Sequence, residues 1–558
     1  MGIDRVYAIG RQLNEFKTCP LPEPSEAGKG SEEYETADKS NFLVTFNDAP
    51  EQNPKNWPYW YKVQTILWVT SIGFSVAYAS AISPSAHAKQ AEIFGISEEV
   101  SALSTALFLF AFGIGAIPFA PLAEVFGRAP IYTLTLLISG LFEIGAGASK
   151  TAAGILACRF FAGFFGSVVL ALCGGSVNDV TDPIDRVMFL SIYAMIGVAS
   201  PMLAPVVGGF VVERAGWEWA YYHTGIFNCF IAVCVFLWCP ETLAPALLRQ
   251  KAAIYRQRSG DNRYHSGKDH VDLAASIKKA VLMPPKFMVF EPFVQFSALY
   301  LGVCFYVVFG YLESLNVIFG EVHNLGPEQI GLTFLPIALG TLLAVVPMVL
   351  IKKRYERLLK ERNGLPPVPE ERMLPLLLAG PCLPISLFWI GWTSFEGISV
   401  WVPIVSGLFL GFAFVMVFIG IYMTAMDVYE ASVSNCLVVL TVSRYLISGL
   451  AVLTSAQMFR NMRPQWAATL LGIIGIIFFI LTIIFYKYGH AIRARSRYAK
   501  GIDLMKQEEQ EKVQQADQAV LERRKTSQSE RSVKSLRHPH QHSAPDTQAP
   551  PMSPVTEV

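Results

Sequence analysis

Long apolar runs separated by short polar ones dominate the chain from residue 58 onward. A helix crossing about 30 Å of hydrocarbon needs roughly 20 consecutive apolar residues. Runs of that length fall at 63–83, 101–120, 130–148, 152–178, 188–212 and 218–239. After a polar stretch of about fifty residues they resume at 293–319, 327–351, 374–394, 399–424, 432–458 and 466–487. The pattern predicts twelve membrane helices in two sets of six. Prolines interrupt two runs, Pro201 and Pro205 in one and Pro381 and Pro384 in the other. A membrane helix tolerates them where its neighbours satisfy the freed carbonyls.

The same pattern divides the chain. A polar N-terminal tail (1–57), expected to be largely disordered, precedes a six-helix bundle (58–239). A polar linker (240–290), a second bundle (291–490) and a C-terminal tail (491–558) follow. The tail beyond about residue 505 is rich in Gln, Glu, Lys, Ser, His and Pro, a composition expected to stay disordered. Residues 502–524 can form a short charged helix, and Arg523-Arg524-Lys525-Thr526-Ser527 offers a phosphorylation target or simply a solvated tail.

Basic residues orient such a stack. The linker carries nine Lys and Arg against four acids, 352–373 carries seven, and Arg493, Arg495, Arg497 and Lys500 open the final tail. The alternate loops hold almost none, only Lys89 in 84–100 and none in 320–326 or 395–398. Both tails are therefore expected in the cytosol. One exception is the link holding Arg460 and Arg463, which this topology places outside.

Composition agrees with lipid as the main solvent. The chain is 52% apolar and 16% charged, against about 25% charged in a typical globular protein. Its mean hydropathy is +0.39. A net charge of +1 over 558 residues gives no field to gather nucleic acid. No basic start with a short apolar core opens the chain; instead there is the acidic run Glu32-Glu33-Tyr34-Glu35, so no cleavable signal is expected. The nine cysteines form no CxxC pair and accompany no His cluster, so they read as small apolar filler and no metal is expected.

Charges inside the spans carry the chemistry, because each is costly there. Arg159, in the fourth span, either faces a cavity or snorkels from the outer third. Arg444 lies near the middle of the eleventh span, where a packed pair with a carboxylate is the alternative to a functional role. Glu313 sits in the outer half of the seventh span and is the preferred proton carrier over Glu143, whose place near the membrane edge permits simple solvation. His223 reads as an interfacial hydrogen-bonder. Aromatic wall for a substrate is offered by Phe160, Phe164, Phe305, Tyr306 and Tyr311.

Soluble-enzyme chemistry finds no support. Gly145-Ala146-Gly147-Ala148-Ser149-Lys150-Thr151 has Ser149 where a phosphate loop needs glycine. No H-E-x-x-H or G-x-S-x-G element occurs. An ion gradient is then the expected energy source, and no cofactor is expected.

Several motifs raise the specificity. Ala120-Pro121-Leu122-Ala123-Glu124-Val125-Phe126-Gly127-Arg128 resembles the loop signature of the major facilitator superfamily, with Ala120 in place of its first glycine. The carboxylate of Glu124 is expected to attract Arg128, and Gly127 to permit the turn between them. The resemblance implies that these residues latch two bundles together when the cavity opens outward. It also implies a proton-coupling role for Arg159. Ala204-Pro205-Val206-Val207-Gly208-Gly209 resembles the element of its antiporter branches, where Pro205 bends the helix and Gly208 and Gly209 allow close contact.

Asn53-Pro54-Lys55-Asn56-Trp57, Pro240-Glu241-Thr242-Leu243-Ala244-Pro245, Glu291-Pro292 and Tyr488-Gly489, in that order, resemble boxes of the fungal twelve-span drug:proton antiporters. Trp217-Glu218-Trp219 resembles another box, with Glu218 where that family has arginine. The resemblance covers about residues 46–500. It implies an all-α major facilitator fold and a monomeric, proton-coupled exporter of small amphipathic organic compounds in the plasma membrane, with the vacuole as the other location. A narrow exporter of one metabolite or a polyamine is the nearest rival, though few cavity carboxylates await a polyamine. A channel or a membrane enzyme is the rival from another class.

Overall fold

The computed structural model describes residues 8–19, 42–47, 49–267, 272–362, 369–395, 397–429 and 433–493. The acidic run at Glu32, the side chains of Arg493, Arg495, Arg497 and Lys500, and everything expected of 501–558 lie outside the described residues.

Among the described residues, twelve helical passes cross back and forth. We label them α1 (Tyr59–Ser80), α2 (Glu98–Phe126), α3 (Arg128–Ala148), α4 (Ala152–Val180), α5 (Pro183–Ala215) and α6 (Glu218–Trp238). The second set comprises α7 (Pro292–Leu315), α8 (Pro327–Glu361), α9 (Pro369–Thr393) and α10 (Trp401–Val428), then α11 (433–462) and α12 (464–493). The last two form one continuous helical run, Val433–Arg493, broken in direction only at Arg463, whose φ of 62° is followed by Pro464. Eleven helices long and apolar enough to span therefore make twelve crossings.

Local chemistry sets the ends. Ser97 caps α2 by accepting the Val100 N–H at 3.3 Å, and Thr151 caps α4 through the Gly154 N–H at 3.2 Å. Gly127, at φ +89°, separates α2 from α3 with a single residue. Pro201 and Pro205 stay inside an unbroken α5, whereas α9 breaks at Gly380–Pro381 into Leu374–Ala379 and Cys382–Thr393. A π-helical turn, Asn316–Val322, extends α7.

The outer surface is apolar. Leu67, Leu134, Leu141, Phe230, Val346, Leu350, Ile473, Ile477 and Ile480 all stand exposed. Large residues of this kind girdling a bundle fit hydrocarbon and not water. Every backbone group in such a layer must bond within its own helix, which is why the spans are helical.

Both described chain ends lie on one face, which we call the tail face; the opposite one is the far face. On the tail face, described parts of the N-terminal tail pack against the linker. Helix Ala8–Thr18 packs on the linker, and Gln12 exchanges two hydrogen bonds with the backbone of Glu241 at 2.9 and 3.2 Å. A parallel bridge joins Leu43 to His265, backed by a small core of Phe42, Val44, Ala252, Tyr255 and Tyr264.

Candidate functional site

At the far face the two halves close on each other along α5 and α8. Gly209 faces the Pro327 carbonyl, where a Cβ would stand 2.7 Å away, and Gly331 faces the Pro205 carbonyl, where a Cβ would stand 2.6 Å away. Neither position has room for a side chain, so backbone meets backbone. Gly208 instead faces Ile82 and Ser85 within its own half.

Ion pairs rim this contact. Arg214 meets Glu328 at 3.2 Å, while Arg460 of α11 bridges Glu98 of α2 at 3.4 Å and Glu321 at 2.9 Å. The basic residue that broke the loop-charge pattern is thus neutralised by two acids on its own side.

Inside the rim lies a buried pair that the sequence did not announce. His87, on the short helix His87–Phe94 after α1, sits 3.3 Å from Glu313 of α7, with side chains 6% and 10% exposed. The His87 ring also contacts Thr105 at 3.2 Å and Ser104 at 3.4 Å. The His87–Glu313 contact therefore joins the two halves behind the closed far face.

Deeper in the first half, Arg159 of α4 is fully buried and reaches Glu143 of α3 at 2.6 Å, with a second bond to the Ala79 carbonyl at 3.1 Å. Its guanidinium lies over Phe108 and Tyr221. One expectation is corrected here: Glu143 is not solvated at a membrane edge. Of the two readings of Arg159, snorkelling falls, because facing positions of an α3–α4 hairpin enclose both.

Arg444 of α11 is held differently. It is 3% exposed, and among the described residues no carboxylate forms an ion pair with it. Its Nε and Nη1 find no hydrogen-bond partner. Four rings surround it instead: Phe305, Tyr445, Phe418 and Tyr422, at 4.8, 4.9, 5.0 and 5.5 Å from the guanidinium carbon. Rings attract a cation by about 0.5–2 kcal/mol each but do not cancel its charge. Arg444 lines a small void of about 50 Å³ with Tyr193, Phe309 and Phe414.

Tailward of this point the halves part. α2 touches α11 where Gly113 meets the Tyr445 Cβ and Gly449 meets the Phe110 ring. Beyond Ala116 and Thr441 a cavity of about 400 Å³ opens, reaching Lys55, Leu243 and Arg186 on the tail face. Leu170 lines both spaces. Beside the cavity a strut, Lys352 to Asp185 at 3.1 Å, still links α8 to α5.

The loop signature lies at this mouth, with a different partner from the one expected. Arg128 pairs with Asp179 of α4 at 3.0 Å and donates to Leu172 O and Ser176 Oγ. Glu124 is exposed at the last turn of α2, where its backbone carbonyl accepts from Arg249. Gly127 redirects the chain, so Arg128 starts α3 facing α4 and leaves Glu124 behind.

Glu241 takes the place at the helix start. Its buried carboxylate accepts the Ala129 N–H at 3.1 Å, at the positive end of α3, and those of Thr242 and Leu243 at 3.0 and 2.8 Å. Burial pushes this carboxyl above the usual range, while the backbone N–H donors pull it down.

Of the aromatic residues expected to line a substrate path, Phe305 reaches the void beside Arg444. Tyr306 bonds Thr454 at 2.9 Å, Tyr311 is buried in α7, and Phe164 packs on Phe119 and Phe165. His223 bonds the Tyr78 hydroxyl at 3.0 Å and the Trp219 carbonyl at 2.5 Å, as an interfacial histidine does.

Comparison with known proteins agrees with this architecture. The Major Facilitator Superfamily profile matches residues 67–449. The chain is 37% identical over 469 residues to the MFS-type transporter kojT of Aspergillus flavus, covering 82% of this chain and 83% of that protein. It is 31% identical over 480 residues to the efflux pump bik6 of Gibberella fujikuroi, covering 85% and 99%. In fold it resembles the xylose transporter XylE from E. coli, with a TM-score of 0.57 at 14% identity over 76% of this chain and 98% of that one. These are transporters and not enzymes, and they sit in membranes. The chain belongs to the major facilitator superfamily, with fungal MFS-type transporters and efflux pumps among its relatives.

Proposed function

We propose that this transporter exports small amphipathic organic compounds in exchange for protons, by alternating access between the bundles 58–239 and 291–490. The observation that carries this reading is the buried His87–Glu313 pair, which ties one half to the other behind a shut far face while a cavity stands open at the tail face. With His87 protonated, an ionised Glu313 attracts it across the two halves and favours the shut far gate. Neutralising Glu313 weakens that attraction and favours opening. A ligand shifts a two-state balance only by preferring one state, and here the proton has a stated preference.

The groups packed around the pair are Ser104 and Thr105 of α2, with Gln90 joining Ser101 and Tyr221 beside it. Arg159, paired with Glu143, lies against Tyr221, and Arg460 with Glu98 and Glu321 holds the rim. We assign Arg159 a positioning role in this cycle and leave the proton to Glu313. Export fits the relative named an efflux pump. The glycine contacts at 205–209 then serve as the far hinge, and Glu124, Gly127 and Arg128 as the tail-side latch. On this reading both tails lie in the cytosol and the transporter works as a monomer in the plasma membrane.

Uptake of a fluorescent amphipathic dye into inverted vesicles, driven by an imposed pH gradient, tests the reading. Glu313→Gln is expected to abolish that uptake while leaving thermal stability in detergent near wild type. Undiminished pH-driven uptake by this variant would remove Glu313 from the mechanism, and current exceeding stoichiometric flux would point to a channel.

A further inference from the structure

The exporter reading leaves the kind of compound open, and Arg444 narrows it. This cation sits between the two halves, within reach of residues from α1, α4, α5, α7, α10 and α11 around one void. It is almost wholly buried, two of its nitrogens lack any hydrogen-bond partner, and its near neighbours are rings. Among the described residues the other two buried arginines each have a carboxylate built in, Glu143 for Arg159 and Asp427 for Arg372. A guanidinium offers five donors in a planar fork suited to a carboxylate or another delocalised anion. Such a fork, desolvated and given no carboxylate among the described residues, lacks an anionic group to complete it.

The route to it carries the same sign. The cavity between Arg444 and the tail face is lined by Lys55, Arg128 and Arg186 against the single carboxylate Glu124, with Arg128 held by Asp179 and Arg186 also partnered. Thr441 lines that cavity one helical turn from Arg444 and Tyr445. The space of about 400 Å³ suits the body of a small organic molecule, while the void of about 50 Å³ suits only its head group.

Building on the exporter reading, we infer that the transported compound is an organic anion: its acidic group docks on Arg444 among Phe305, Phe418, Tyr422 and Tyr445, and its apolar body fills the tail-side cavity. The rings contribute stacking surface to a flat, conjugated acid and attract no anion themselves, so at the head-group void charge selection falls to Arg444.

Equilibrium binding tests this without requiring transport. Purified protein in detergent is titrated calorimetrically with 2-naphthoate, 2-naphthamide and 2-naphthylmethylammonium, one ring system in three charge states. The anion is expected to bind at least tenfold more tightly than the amide or the ammonium. Arg444→Gln is expected to erase that preference, and Arg444→Lys to keep part of it, since the charge remains and the fork is lost. Equal binding of all three by the wild type, no binding of the anion, or an anion preference that survives Arg444→Gln would each overturn the inference. The ranking by wild-type protein needs no variant to fold. An intact anion preference without pH-driven transport would instead count against the exporter reading.

Discussion

Arg159 and Arg444 are both buried arginines of the membrane part, and the protein treats them oppositely. In the first half, Arg159 is matched at 2.6 Å by Glu143, so that charge is balanced inside the chain. In the second half, Arg444 has rings in place of a carboxylate. A buried cation without a counter-charge is unfavourable, and folding alone gives no reason to retain it. On the anion inference, the difference separates a residue that holds helices together from one that receives the substrate.

The sharpest way to break this contrast is to remove the counter-charge where one exists. Glu143→Gln leaves Arg159 buried and unpaired, a change that typically costs about 3–5 kcal/mol. Thermal denaturation in detergent is expected to show a large loss, partly recovered in the double variant Glu143→Gln with Arg159→Gln. Arg444→Gln is expected to hold or raise stability in the same assay, because it removes an unbalanced charge. A comparable loss for Arg444→Gln would show that Arg444 also has a structural counter-charge.

Next in size is the far contact that keeps Arg444 facing the tail side. Gly209→Val puts a side chain where even a Cβ stands 2.7 Å from the Pro327 carbonyl. Overpacking of this kind costs about 1–3 kcal/mol, and here it falls on the closed state alone. Spin labels at Glu92 and Gln329 are expected to move apart, read by pulsed EPR. Gly208→Ala is expected to leave that distance unchanged, because Gly208 packs within its own half.

A smaller effect is expected at Glu241, whose carboxylate caps α3 beside the tail-side mouth. Glu241→Ala removes the acceptor for the Ala129, Thr242 and Leu243 N–H groups. Loss of a cap costs about 0.5–2 kcal/mol. Thermal stability should fall accordingly, with anion binding at Arg444 retained; a stability equal to wild type would remove Glu241 from the architecture of that turn.

The two arginines also show what a sequence exposes. Twelve crossings were legible because hydrocarbon thickness forces run length, and their order along the chain carried the family resemblance. The Arg159–Glu143 pair was legible in principle. Glu143 lies five residues before the end of α3 and Arg159 seven after the start of α4, so an antiparallel hairpin sets them about 7.5 and about 10.5 Å below one turn. Reading each residue against the membrane edge, and not against its hairpin partner, hid the match. His87 was not legible, because its partner comes from the other half and its own segment reads as a loop. Nor was Asp179, since the turn at Gly127 decides which carboxylate Arg128 meets. The open side of Arg444 was beyond sequence altogether, for only packing shows that no carboxylate arrives.

A third arginine completes the series at the least buried depth. Arg460 pairs with Glu98 and Glu321, but its side chain is 42% exposed and the acids are 55% and 52% exposed. Water already solvates all three, so the pair replaces hydration and gains little. Arg460→Gln is therefore expected to change stability by no more than about 1 kcal/mol, and the change should shrink further in high salt, which screens exposed charges. Its acids share one cation, however, and removing that cation leaves Glu98 of α2 and Glu321 beyond α7 facing each other across the two halves. That repulsion acts only while the far face is shut, so Arg460→Gln should modestly weaken the shut state and lengthen the Glu92–Gln329 spin-label distance less than Gly209→Val does. A salt-independent loss as large as that of Glu143→Gln would mean that Arg460 is held in a dry environment, and burial would no longer explain why the three arginines differ.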